Sequence, residues 1–185
     1  MTTFEYLSIA YGLLFSAVAL RLIGGLPHAL NRTRGYRAHA TAVILLLVGT
    51  VLNFWNFLQY RNVDWTLLSF AQLLATPGII YFLTLSLVPD DPGAVDSWES
   101  FYFAKRTQFF SGMIAWGLCA ALNTTSLLHM SPFHRQRVVH LGLIVIGAVG
   151  LSSPRPSVHR ALGFVACAVV AISIAILFFG GVSPR

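Results

Sequence analysis

The stretch AHATAVILLLVGTVLNFWNFLQY, residues 38–60, decides the fold. A helix rises about 1.5 Å per residue, so some twenty apolar residues cross the roughly 30 Å hydrocarbon core of a bilayer. This stretch is long enough and carries no Asp, Glu, Lys or Arg. It nevertheless contains Asn53, Asn56 and Gln59. Amide side chains are costly in hydrocarbon unless each finds a hydrogen-bond partner. The stretch therefore reads as a membrane-spanning helix with one polar face, whose neighbours must supply the partners.

The rest of the chain repeats the pattern. Of 185 residues 56% are hydrophobic and only 10% charged, with a mean hydropathy of +0.73. A soluble domain of this size could not bury so much apolar surface and keep a charged exterior. Further apolar segments cover residues 3–26, 65–88, 109–130, 138–152 and 161–180. The fifth of the six segments, 138–152, is short for a full span. The expectation is an all-α polytopic membrane protein, one domain over residues 1–185, built as a bundle of about six transmembrane helices with short loops.

Local signals refine this outline. Pro77-Gly78 interrupts the third segment, where a kink or a freed carbonyl is expected. PDDPGAVDS, residues 89–97, is a loop holding the only acidic cluster. Asp96 with Glu99 has the form of a capping box, which predicts a helix start. Trp98, Phe101, Tyr102 and Phe109 then follow at helical spacing, predicting an interfacial helix over about 97–108 before the fourth span.

The net charge of +6 does not point to nucleic acid, because the twelve Lys and Arg are scattered through loops with no basic run. They serve better to orient the chain. Arg21, Arg32, Arg34, Arg37, Lys105, Arg106, Arg155 and Arg160 fall on one side of a six-span topology. Arg61, Arg135, Arg137 and Arg185 fall on the other, a ratio of eight to four. The positive-inside rule places the larger set in the cytoplasm and both termini outside. No basic region precedes the first segment, so it reads as a retained helix. The sequon Asn31-Arg32-Thr33 would face the cytoplasm and carries no weight.

With that orientation, polar residues gather at one depth. Gly49, Asn53, Asn56 and Tyr60 share one face of the second helix, and Ser69, Gln72 and Thr76 one face of the third. Gly112, Trp116, Cys119 and Asn123 do so on the fourth, while Glu5, Tyr6 and Tyr11 enter from the same side on the first. An outward-facing polar site for a small solute or ion would need such a layer, with Asn53, Asn56, Gln72, Asn123, Glu5 and Tyr11 as its candidates. Plain interhelical hydrogen bonding would produce the same layer. Thr84, Ser86 and a snorkelling Arg21 are the polar residues expected in the opposite half.

The chemistry of catalysis is missing. There is no nucleophile elbow, zinc-protease helix, P-loop or dinucleotide fingerprint. His129, His134 and His140 cluster around one turn and offer imidazoles for zinc or copper, at spacings that match no familiar ligand pattern. His39 and His159 are the geometric candidates for a bis-histidine haem. No cofactor is firmly implied. Cys119 and Cys167 lie in apolar segments and read as small core residues.

On the last helix, Gly163, Cys167, Ala171 and Ala175 form a stripe of small residues. It would let another helix approach closely, within this chain or in a second copy, with internal packing favoured. That stripe supports a different reading, an accessory or scaffold subunit that packs through its last helix in a homo-oligomer or larger membrane complex. Phe4-Glu5-Tyr6, Val88-Pro89-Asp90, Phe101-Tyr102-Phe103, Arg106 and Phe109-Phe110 resemble a group of small multi-pass bacterial membrane proteins. The resemblance covers about the first 110 residues. It implies a bacterial cytoplasmic-membrane location and no particular activity.

Overall fold

Helices account for nearly all of the chain. The computed structural model describes residues 3–31 and 35–179. Six α-helices cover them: α1 (Thr3–Ala29), α2 (Arg37–Asn56), α3 (Leu67–Leu87), α4 (Trp98–Ser126), α5 (Arg137–Ser152) and α6 (Pro156–Phe179). Arg32, Arg34 and Arg185 from the charge count, and two positions of the sequon, lie outside the described residues.

The helices close into a ring. α1 packs on α2 and α3, α3 on α4, α4 on α5, α5 on α6, and α6 back on α2. α2 also touches α3 and α4, so its inner face looks across the middle of the ring. Fully buried side chains from three helices, Val18, Leu22, Val43, Leu73, Ile80 and Leu83, form the core of the α1–α2–α3 side. Exposed Leu13, Leu20, Val51, Phe54, Leu118, Leu141, Phe164 and Phe178 cover the outside. An apolar exterior around a partly polar interior is the inverse of a soluble bundle and fits solvation by lipid.

Four stretches, Phe4–Ala29, Arg37–Tyr60, Leu67–Leu87 and Pro156–Phe179, are long and apolar enough to cross a membrane. α5 is apolar but has only 16 residues. α4 has the length, yet begins with Glu99, Lys105 and Arg106 and ends on Asn123-Thr124-Thr125-Ser126. The six expected spans are thus six helices, of which four meet the length and hydropathy needed.

Several boundaries move for identifiable reasons. The interfacial helix expected at 97–108 and the span expected at 109–130 are one continuous 29-residue helix. In its first turns Trp98 and Tyr102 are buried inside the bundle. Ser97, not Asp96, caps it by accepting a hydrogen bond from the Ser100 amide. α4 ends at Ser126, where the hydroxyls of Thr124, Thr125 and Ser126 donate back to carbonyls one turn earlier. His129 then takes a left-handed backbone (φ 51°) that reverses the chain. α3 starts after a Thr66–Ser69 capping box rather than at Trp65, and continues through Pro77. α6 starts five residues earlier than expected, at Pro156, since a helix's first position needs no N–H.

α4 and α5 approach most closely, and glycine is the reason. A Cβ on Gly147 would lie 2.8 Å from the Phe110 carbonyl oxygen, and one on Gly117 would lie 2.9 Å from that of His140. A Cβ on Gly150 would enter the Phe110 ring. The stripe on α6 behaves differently. Gly163 faces Thr41 of α2, but Cys167, Ala171 and Ala175 are exposed. Only 6% of the apolar window of α6 is buried, against 39% for α3. The favoured expectation of internal packing along that stripe is corrected, as is the placing of Cys167 in the core.

The end opposite the polar layer carries more polar groups than expected. Arg21 does not simply snorkel: its guanidinium donates to the Val88 carbonyl at 2.8 Å and pairs with Asp90 at 2.6 Å. This strap ties α1 to the α3–α4 loop. Asp90 is almost fully exposed, so the pair is screened. Asp90→Ala is therefore expected to change stability by less than about 1 kcal/mol in a denaturation series; a loss of several would show the strap to be essential.

Candidate functional site

Polar side chains from all six helices converge. Tyr11 of α1, Asn53 and Asn56 of α2, Thr76 of α3, Asn123 of α4, His140 of α5 and Ser173 of α6 all line one cavity of about 70 Å³. Gln59 and Tyr60, in the 3₁₀ turn Phe57–Tyr60, and Gln136, before α5, complete its polar wall. Their convergence follows from spacing: positions 49, 53, 56 and 60 keep one face of α2 turned inward along its last three turns.

Hydrogen bonds knit these side chains across the ring. The Tyr11 hydroxyl donates to Asn53 Oδ1 at 3.1 Å, joining α1 to α2. Gln72 Nε2 donates to Asn123 Oδ1 at 2.9 Å and to Ser126 Oγ at 2.7 Å, and Asn123 Nδ2 donates to Thr76 Oγ1 at 2.9 Å. These bonds join α3 to α4. Gln59 Nε2 donates to Asn56 Oδ1 at 2.8 Å, and Gln136 Nε2 to Gln59 Oε1 at 3.4 Å. Asn123 is thereby committed to structure, whereas Asn53 and Asn56 use only their oxygens. Their NH₂ groups make no hydrogen bond among the described residues.

A second, larger cavity adjoins the first. It measures about 140 Å³ and is bounded by α2, α4, α5 and α6. Asn53, Asn56, Ala120, Val139, His140 and Ser173 line both. Most of its remaining wall is apolar, from Leu46, Met113, Leu143, Ile146, Leu162 and Val169. No Asp, Glu, Lys or Arg lines either cavity.

Of the six residues predicted for a site, Tyr11, Asn53, Asn56 and Asn123 are brought together on the smaller cavity. Gln72 stands behind it, holding Asn123. Glu5 is exposed and lines neither cavity. The histidine turn comes apart. His129 is exposed, His134 accepts from the Gln136 amide through Nδ1, and His140 is buried within the bundle. They form no metal-holding group, and no other three His, Cys, Asp or Glu among the described residues do so. Partial burial, then Arg135 and Arg137, push the His134 pKa below that of an ordinary histidine. In Arg137→Met its imidazole is expected to titrate at higher pH by NMR.

His39 and His159 do not present a haem-binding pair. His39 Nε2 lies 2.8 Å from the Leu87 carbonyl oxygen, and His159 Nε2 lies 2.7 Å from that of Ser153. A carbonyl only accepts, so both Nε2 atoms carry hydrogen. His159 Nδ1 then accepts from the Tyr102 hydroxyl at 3.1 Å, while the His39 ring stacks on Trp98. The two imidazoles thus hold the carbonyl ends of α3 and α5. Sequence reading missed this buried cluster, since isolated His, Tyr and Trp near helix ends look interfacial one at a time.

Fold and site together define a helical bundle, with four helices apolar and long enough for a membrane, that holds a chamber of two adjoining, partly open cavities, one amide-rich and one mostly apolar. No protein-family model, curated protein or solved structure matches the chain.

Proposed function

We propose that the protein binds a small solute within the membrane, as a carrier, channel or receptor, at the amide-lined end of its chamber. One observation carries this reading: all six helices contribute to the chamber walls, and Asn53 and Asn56, which line it, keep donors that the protein's own bonds leave unused. Interhelical glue alone would consume them, as it does for Asn123. The lining has no carboxylate for a cation and no Lys or Arg for an anion, which favours a neutral solute over an ion. In the orientation set by the positive-inside count, this end faces outward from a cytoplasmic membrane.

Proteoliposomes are expected to swell faster than protein-free liposomes in isosmotic glycerol, urea or acetamide, or the protein to bind one of them. Asn53→Ala and Asn56→Ala should remove the effect while the protein still elutes as a folded species. Swelling and binding that survive both substitutions would refute the site.

A second reading, an accessory subunit packing through its last helix, draws on the exposed face of Cys167, Ala171 and Ala175. It requires Ala171→Trp to break a complex seen in native gels; if α6 faces only lipid there, the substitution leaves the migration unchanged.

A further inference from the structure

The two cavities change character across the seam they share. On one side the wall is mostly apolar and the space is about 140 Å³; on the other it is amide-rich and about 70 Å³. A mostly apolar space of roughly 150 Å³ in a protein is large enough to admit a benzene ring. The larger space is therefore sized for one six-membered ring or an equivalent short branched chain.

Hydrogen-bonding capacity at the seam is lopsided. The oxygens of Asn53 and Asn56 accept from Tyr11 and Gln59, so the unused hydrogen-bonding groups of these two cavity-lining side chains are their NH₂ donors. His140 sits at the same seam, nine-tenths buried, with its Nδ1 unpartnered. A ligand satisfying the amides must accept hydrogen bonds. With no charged side chain in either lining, an ionised ligand would be buried without a counter-charge. A wholly polar solute would leave the apolar space unmatched, and a hydrocarbon would leave the amide donors unsatisfied.

Building on the solute-binding reading above, we infer that the occupant is an uncharged amphiphile. Its apolar body, about the size of one ring, fills the space between α2, α4, α5 and α6. A carbonyl or hydroxyl oxygen at its end accepts from Asn53 and Asn56.

The test uses the full chain in nanodiscs and four probes, followed by saturation-transfer NMR and competition. Acetophenone has both parts, toluene lacks the acceptor, benzoate carries a charge and acetamide lacks the body. Acetophenone is expected to bind saturably, with toluene and benzoate about tenfold weaker or more. Asn56→Leu and Ala166→Phe, which remove a donor and fill the apolar space, should each weaken acetophenone about tenfold. Val170→Phe fills the same space if Ala166→Phe does not fold. Acetamide binding that depends on Asn56, ignores the chamber-filling variants and equals that of acetophenone would overturn the amphiphile while leaving the solute-binding reading intact. Toluene binding as tightly as acetophenone, indifferent to Asn56→Leu, would overturn both. So would the absence of binding by every probe.

Discussion

Gly147→Val leaves little folded protein. The α4–α5 contact has no room for a side chain at this position, because a Cβ would stand 2.8 Å from the Phe110 carbonyl oxygen and 2.5 Å from Ile114 Cγ1. The first of these atoms is backbone and cannot swing away, so the helices must separate. Overpacking of this kind costs about 1–3 kcal/mol, and two added methyl groups beyond the Cβ place valine above that range. Separation also pulls His140 and Val139 away from the α2 face, so chamber and contact fail together. Alanine should give an intermediate melting temperature. Gly78→Ala is the control: nothing lies within 4 Å of its Cβ, and helix propensity predicts a gain of about 0.5–1 kcal/mol. A Gly147→Val protein that melts with the wild type would refute the packing account.

Arg137→Met has the second large effect. The guanidinium of Arg137 pairs with no carboxylate among the described residues. Its Nη1 donates to the Ala121 carbonyl at 2.8 Å and Thr124 Oγ1 at 2.9 Å. Its Nη2 donates to Thr125 Oγ1 at 2.8 Å and the Met130 carbonyl at 3.1 Å. It therefore closes the last turn of α4 and clamps the following chain reversal, where the carbonyl ends of a helix also favour a cation. Losing these charge-assisted bonds together should cost about 2–4 kcal/mol. Lysine should recover only a minor part, since one ammonium cannot reproduce a planar fork spread over five acceptors. Equal melting of Arg137→Lys and wild type would show that charge, not geometry, matters here.

These two positions mark where sequence reading reached and where it stopped. Composition and the length of the apolar runs made the helical membrane class plain, because both reflect the solvent around the chain. The inward face of α2 was legible too: Asn53, Asn56 and Tyr60 fall at helical spacing, and the cavity confirms that they share a wall. Which small residues mediate close packing was not. The regular stripe on α6 attracted attention, yet three of its four members face outward. The tight contact uses Gly117, Gly147 and Gly150, whose glycine-only pattern was visible in the sequence but lacked a partner helix. Arg137 was counted as a loop charge because its acceptors are backbone carbonyls, which every sequence has. His39, Trp98, Tyr102 and His159 became a cluster only once α2, α4 and α6 were placed side by side.

The most direct test of the central claim is native mass spectrometry after gentle extraction from the native membrane, comparing wild type with Asn53→Ala and Asn56→Ala. The account predicts a monomer or homo-oligomer of the 20.3 kDa chain carrying a small added mass that both variants lose. Recovery only inside a larger hetero-complex, with no small-molecule mass that depends on Asn53 or Asn56, would contradict it.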